Sequence, residues 1–441
     1  MYKDFNNNMK LFQRLNKGLT NTLVFTAGTA LAGLCTGVIL ARTLSPGSRG
    51  EFAAILLWPG ALSMFGELGL GFAFSYFAGR HKDQLDGLWT LALGVSLLWG
   101  GLLSFAGILL VPSIVHLSEM ASSFLRLNMT TVPISLLMGY SSYFLLGSNR
   151  VFEFNMVRLC STAVYTVGIV FVALMARDTV INYTIVFIVA QLLACSLSVY
   201  FVSCRLKPKL RWEPTLVRPV FIYGGKTYIS SLAAQMNLRL DQLLMSSYIP
   251  LAQLGLYVIA VSFSSLIMPL FSAMAIVTIP GVTQATDRMT GGRQIVRYIQ
   301  LGFIIGLPSV LIATLTAPWI VPLIFGRQYM PSVLLGQILL FAAIFQGSNI
   351  ILGNGLRGLG HPGKTAVSEG IGLFVTIVLL TSLLPILGAL GASLASLSAY
   401  ALVTFIQMYF VCQAADLKWH DFFVFSRGNI FPGFDVLKQW K

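Results

Sequence analysis

The feature that most limits what this chain can fold into is a succession of apolar stretches, each about 20 residues long, joined by short polar links. A helix of about 20 residues crosses a hydrocarbon core of roughly 30 Å. With 56% hydrophobic and 10% charged residues, the stretches are too many and too long to be the interior of a soluble domain. Twelve spans are expected, near 18–41, 51–78, 87–112, 124–147, 154–175 and 179–203, then near 221–248, 253–281, 298–323, 332–356, 364–385 and 388–412. Lys10, Arg14 and Lys17 precede the first stretch as they would a signal peptide. That stretch is too long for a signal core, and 42–49 offers no small-residue cleavage site, so it is expected to remain as a span.

Charge sorting tests the count independently. With the N-terminus placed in the cytoplasm, 23 of the 29 Lys and Arg fall on the cytoplasmic side, including six between Arg205 and Lys226. Outside are Arg42, Arg49, Arg126, Arg177 and Arg327, and Arg239 sits within a span. This is the positive-inside pattern, with both termini cytoplasmic. The net charge of +14 then reflects topology and contact with anionic lipids, not a nucleic-acid surface.

The spans fall into two similar halves. LARTLSPGSRGEFA at 40–53 and LMSSYIPLAQLGLY at 244–257 each close an apolar helix, turn through a Pro-containing link and open another helix with a Gly and an aromatic. Aligning Gly50 with Gly255 gives an offset of 205 residues, and VPSIV at 111–115 matches VPLIF at 321–325 at an offset of 210. Both halves start on the same side, so the repeat is parallel, a plan suited to a transport site reached from either face. The expected organisation is an N-terminal six-helix lobe (1–204), a basic, proline-containing cytoplasmic linker (205–219) and a C-terminal six-helix lobe (220–412). An interfacial, aromatic and basic tail (413–441) follows, with partner docking as its second reading.

Ionisable groups inside spans are costly and need a partner or a wet cavity. Glu67 in the second span and Arg239 and Asp241 in the seventh meet this description. On a continuous helix Gln235, Arg239 and Gln242 share one polar stripe, and Asn237 with Asp241 form another roughly 160° away. Arg239 reads as a cavity group for an anionic substrate, or as half of a cross-helix pair, for example with Glu67. For Asp241 structural pairing comes first and ion coupling second. Gln346, Ser348, Asn349, Asn354 and Arg357 form a polar set on the tenth span, able to join helices or to bind sugar. Arg42, Arg49 and Arg126 read first as snorkelling side chains and second as gate contacts with an anionic substrate.

Other chemistries lack their residues. Cys35, Cys160, Cys195, Cys204 and Cys412 are scattered, without a Cys-x-x-Cys pair, and read as packing residues. His81, His116, His361 and His420 lie in loops or the tail, and neither a metal nor a cofactor is expected. No phosphate-binding Gly-x-x-x-x-Gly-Lys-Ser/Thr loop occurs, so an ion gradient (H+ or Na+), the membrane potential, the substrate gradient or a partner must supply energy.

LARTLSPGSRGEFA with ELGLGFAFSYFAGR at 67–80, and RLDQLLMSSYIPLAQLGLYVIA at 239–260, resemble the starts of the two halves of the polysaccharide-transporter (Wzx-type) flippases of the multidrug/oligosaccharidyl-lipid/polysaccharide exporter superfamily. The resemblance implies two six-helix lobes around a central cavity with alternating access. It also implies a lipid-linked oligosaccharide substrate on an undecaprenyl diphosphate carrier, serving O-antigen, capsule or exopolysaccharide synthesis. Polymerase and chain-length proteins are the implied pathway partners. Drug-exporting relatives often carry an acid in the first span, and none lies between Lys17 and Arg42. Peptidoglycan-precursor flippases usually have two additional C-terminal helices, which are not expected here. On this reading Arg239, Gln235, Gln242, Arg42, Arg49, Arg126, Gln346 and Asn349 contact substrate, while Glu67 and Asp241 couple ions. The alternatives are a drug/cation antiporter of the same fold and, behind it, an integral-membrane polysaccharide polymerase or ligase. The leading expectation is a transporter and not an enzyme.

Overall fold

The computed structural model describes residues 25–26, 28–115, 117–175 and 179–424. The expectations placed on Lys10, Arg14, Lys17, His116, Arg177 and the tail beyond Val424 fall outside these residues. The chain is all-α, with no strand among the described residues, and it divides into two compact units that end and begin at Tyr228 and Ile229.

The first unit contains α1 (Gly28–Thr43), α2 (Pro46–Gly66), α3 (Leu70–Arg80), α4 (Leu85–Ile114), α5 (Glu119–Gly147), α6 (Val151–Leu174) and α7 (Val180–Arg205). The helix α8 (Pro214–Asn237) carries the chain on into the second unit. There follow α9 (Leu240–Tyr248), α10 (Leu251–Thr283), α11 (Arg288–Phe325), α12 (Ser332–Gly358), α13 (Pro362–Leu387) and α14 (Ala389–Ala415). Among the described residues nine helices are long and apolar enough to cross a membrane, or ten if α2 and α3, bent by 50°, count as one. The expectation was twelve. The expected first span begins outside the described residues, which show α1 as a shorter apolar helix, and the expected seventh span is not one helix but α8 and α9, split by a turn at Leu238 and Arg239.

The links follow local chemistry. Ser45 caps α2, its hydroxyl accepting from the Ser48 amide at 3.2 Å, and Pro46 occupies the first helical position, where no amide donor is needed. In the expected linker, α8 already starts at Pro214, for the same reason. The residues before it are stapled to α4. The Lys209 amide donates to Asp86 Oδ1 and the Arg211 amide to Thr90 Oγ1, both at 2.8 Å.

Lipid chains are as apolar as leucine, so close fit and hydrogen bonds, not burial from water, hold these helices together. In the first unit the Phe74 ring stacks on Phe144 and meets Tyr140 edge-on, both at 5.1 Å between centroids. In the second, Phe271 of α10 fills a slot whose walls are Gly302 and Gly306 of α11 and Gly347 of α12. A Cβ on Gly306 would lie 2.9 Å from the Phe271 ring, so only glycines admit it. Facing away from these cores, Leu98, Leu174, Trp319 and Ile386 are exposed, as side chains in a bilayer are.

Candidate substrate and coupling sites

In the first unit the site is the break between α2 and α3. Leu68 and Gly69 both take left-handed backbone angles, at φ 50° and φ 66°. For leucine this costs roughly 1–2 kcal/mol, and its neighbours must hold it. Gly69 needs its missing side chain a second time, because a Cβ there would collide with the Gly224 carbonyl of α8. Breaking the helix frees carbonyls that lipid cannot hydrate. Tyrosines satisfy them: Tyr228 donates to the Phe65 oxygen at 3.1 Å and Tyr140 to the Glu67 main-chain oxygen at 3.2 Å. The Glu67 side chain turns back beside Gly71, where a Cβ would sit 2.6 Å from Oε1. That Oε1 is buried and has no hydrogen-bond partner among the described residues. A buried carboxylate oxygen left without a donor is rare, and it suits a group that takes up a proton or a cation.

In the second unit the site is the break between α8 and α9. The turn resets the helical phase, so Gln235, Arg239 and Gln242 do not form the stripe expected of an unbroken helix. Arg239 stands at the N-cap of α9, exposed, two residues before Asp241, with whose charge it interacts. Gln242 is buried and Gln235 is half-buried. Asp241 is buried at the start of α9. Its Oδ1 accepts from the main-chain N–H of Gln242 at 2.7 Å and its Oδ2 from the Tyr257 hydroxyl at 2.5 Å, with Ser396 Oγ 3.4 Å beyond that hydroxyl.

Beside this break is a cavity of about 190 Å³, lined by Asn237, Gln346, Asn349, Arg357, Glu369 and Tyr400 among others. Asn237 accepts from Thr376 at 2.8 Å through its side-chain oxygen, and its main-chain oxygen accepts from Tyr400 at 3.3 Å. Gln407 donates to Glu369 Oε1 at 3.3 Å and to Ser368 at 3.1 Å. Asn349 donates to the Tyr400 carbonyl at 3.1 Å and accepts from Thr404 at 2.7 Å. It therefore ties α12 to α14, with both ends of its amide occupied. Asn354 likewise donates to the Ala275 carbonyl at 2.9 Å and accepts from Arg357 at 3.1 Å.

The three arginines expected at the outer face are placed differently from one another. Arg42 and Arg126 are exposed, whereas Arg49 is buried in the first turns of α2, its guanidinium 5.7 Å from the Phe52 ring centroid. Glu369 was missed at the level of sequence, although it obeys the rule that selected Glu67: it is an acid within an apolar span. Tyr257 belongs to the repeated link-and-aromatic motif, but its bond to Asp241 exists only through packing. No group of three or more His, Cys, Asp or Glu able to hold a metal occurs among the described residues.

The fold has known counterparts. The chain is similar to a lipid II flippase, MurJ, in an inward closed conformation, with a TM-score of 0.76 at 15% identity over 95% of this chain and 92% of that one. It is also similar to a multidrug-resistance MATE-family transporter in an inward-facing conformation, with a TM-score of 0.74 at 15% identity over 88% and 94%. Both likenesses concern the fold. In sequence it is 21% identical over 205 residues to a probable low-salt glycan biosynthesis flippase, Agl15, of Haloferax volcanii, covering 46% of this chain and under half (43%) of that relative. A family profile described as polysaccharide biosynthesis protein matches residues 39–334, well over half of the chain. This chain therefore belongs to the polysaccharide biosynthesis protein family.

Proposed function

We propose that the chain is a flippase that carries a lipid-linked oligosaccharide from the cytoplasmic to the outer leaflet of the bacterial inner membrane, by alternating access and without covalent chemistry. The observation that carries this reading is Arg239. A guanidinium exposed at a helix break suits a diphosphate head, which it can grip through paired hydrogen bonds. Gln235, Gln242 and Gln346 supply amides for the sugar, and the exposed Arg42 and Arg126 meet the anionic head at the outer face, with the buried Arg49 behind them. Asn349 holds the cavity wall in shape for these groups.

Family membership and the described likenesses support a lipid-linked glycan as cargo. The finer assignment adds an undecaprenyl diphosphate carrier and a repeat unit for O-antigen, capsule or exopolysaccharide. Polymerase and chain-length proteins would receive the product. Glu67 and Asp241 take the ion-coupling role, for H+ or Na+.

The test is complementation in cells that lack their own flippase. Arg239→Ala abolishes surface polysaccharide at unchanged protein level, and Arg239→Lys restores part of it. Full polysaccharide in the Ala variant removes Arg239 from the mechanism. Unchanged polysaccharide with altered resistance to cationic drugs would favour an antiporter instead.

A further inference from the structure

The helix α11 carries a stripe unrelated to either helix break. Arg293, Arg297, Gln300, Ile304 and Leu307 are spaced by four, three, four and three residues, so they share one face. Along it the chemistry changes from cationic to apolar. Around the first part lies a cavity of about 490 Å³, lined by Thr290, Arg293, Arg297, Gln300, His420 and the acid Asp421 among others. The second part continues into a trough of about 530 Å³ walled almost entirely by apolar groups, among them Phe303, Ile304, Leu307, Phe345 and Phe405.

The two spaces share the segment 420–424, which passes over α11 and lines both. Gln300 holds it there, its amide donating to the Asp421 carbonyl at 2.9 Å and to the Val424 carbonyl at 3.0 Å. Phe422 is turned inward and buried, and Phe423 is 60% exposed, facing the trough. From Arg297 to Leu307 the helix rises about 15 Å, which is half of a hydrocarbon core of roughly 30 Å. A smooth lipid-facing wall needs neither a buried glutamine nor a strap; a concave, built trough with a cationic mouth is a different object.

We propose that this face binds one anionic phospholipid, its phosphate at Arg293 and Arg297 and an acyl chain in the aromatic trough. Two arginines against the single Asp421 leave the mouth cationic, and that charge selects the occupant. Residues 425–441 begin where the strap ends, but they carry Arg427, Lys438 and Lys441 against a single Asp435, and two arginines repel such a segment. A zwitterionic lipid fits the trough but adds an amine to a cationic mouth.

The experiment uses the full chain, purified in detergent and stripped of lipid, with retention of dioleoyl-phosphatidylglycerol and dioleoyl-phosphatidylcholine read by native mass spectrometry. One phosphatidylglycerol is retained at least about ten-fold more tightly than phosphatidylcholine, and added salt reduces the difference. Arg293→Gln with Arg297→Gln removes the preference, whereas Arg293→Lys with Arg297→Lys keeps it. Ile304→Trp, which fills the trough, lowers retention of both lipids. The melting temperature of each variant without lipid shows whether it is folded. Equal retention of the two lipids by the parent protein, or full preference in the Gln pair, overturns the proposal. So does retention of inorganic phosphate by a protein that retains neither lipid, which would mean a phosphate site without a lipid. A ten-fold gain in retention on removing 425–441 would assign the trough to the tail and equally overturn it.

Discussion

Tyr257 of α10 donates its hydroxyl hydrogen to Oδ2 of Asp241 at 2.5 Å, across a buried boundary between α9 and α10. The other carboxylate oxygen is held by the Gln242 amide. An aspartate that would be prohibitive in lipid is thus held by a hydrogen-bonded shell made within one unit.

Removing the tyrosine hydroxyl should leave that carboxylate short of a donor. Tyr257→Phe is expected to cost about 1–3 kcal/mol of stability, and Asp241→Asn in the same background to recover part of it. Thermal unfolding of the four proteins of this double-mutant cycle in detergent measures the coupling. Additive losses would show that the two side chains do not act as a pair.

Glu67 presents the opposite case, since its Oε1 has no donor to lose. Glu67→Gln should fold as well as the parent, because no protein hydrogen bond to that oxygen is broken. Polysaccharide export should then cease to respond to collapse of the proton or sodium gradient. An unchanged response in the Gln variant would remove Glu67 from energy coupling.

The Phe271 slot is a matter of fit. Gly347→Ala places a methyl group against the ring and should destabilise the C-terminal unit by about 1–3 kcal/mol. Phe271→Leu, which shortens the intruding side chain, should relieve part of that loss when combined with it. If Gly347→Ala is neutral in thermal unfolding, the three-glycine wall is not tight.

At the start of α11, Asp287 accepts from the Thr290 amide at 2.6 Å, and this bond to the charged form lowers its pKa below the ordinary aspartate range. A lowered folded pKa means that its contribution is present above the unfolded pKa and is lost as pH falls through the folded one. Hydrogen exchange at the Thr290 amide should therefore accelerate, beyond its intrinsic pH dependence, only at pH values below the ordinary range. Asp287→Asn, which caps without charge, should show no such step. A step in the Asn variant would point to another titrating group.

The sequence by itself determined the membrane-spanning character and the all-helical class, and it raised the expectation of paired halves and the acids worth pursuing. Each rests on properties that add up along the chain: length of apolar run, sorting of Lys and Arg, and the cost of a charge in hydrocarbon. The same rule, applied evenly, would also have found Glu369. What remained illegible were events that depend on a second helix. The Gln235, Arg239 and Gln242 stripe failed because α8 ends at Asn237, and the polar residues there find partners such as Thr376 and Tyr257 that lie far along the chain. The bend after Gly66 is stable only because Tyr140 and Tyr228 reach the freed carbonyls. A helix in lipid keeps its own backbone bonds unless a neighbour replaces them, so the positions of breaks, and hence of exposed charges such as Arg239, were decided by tertiary packing.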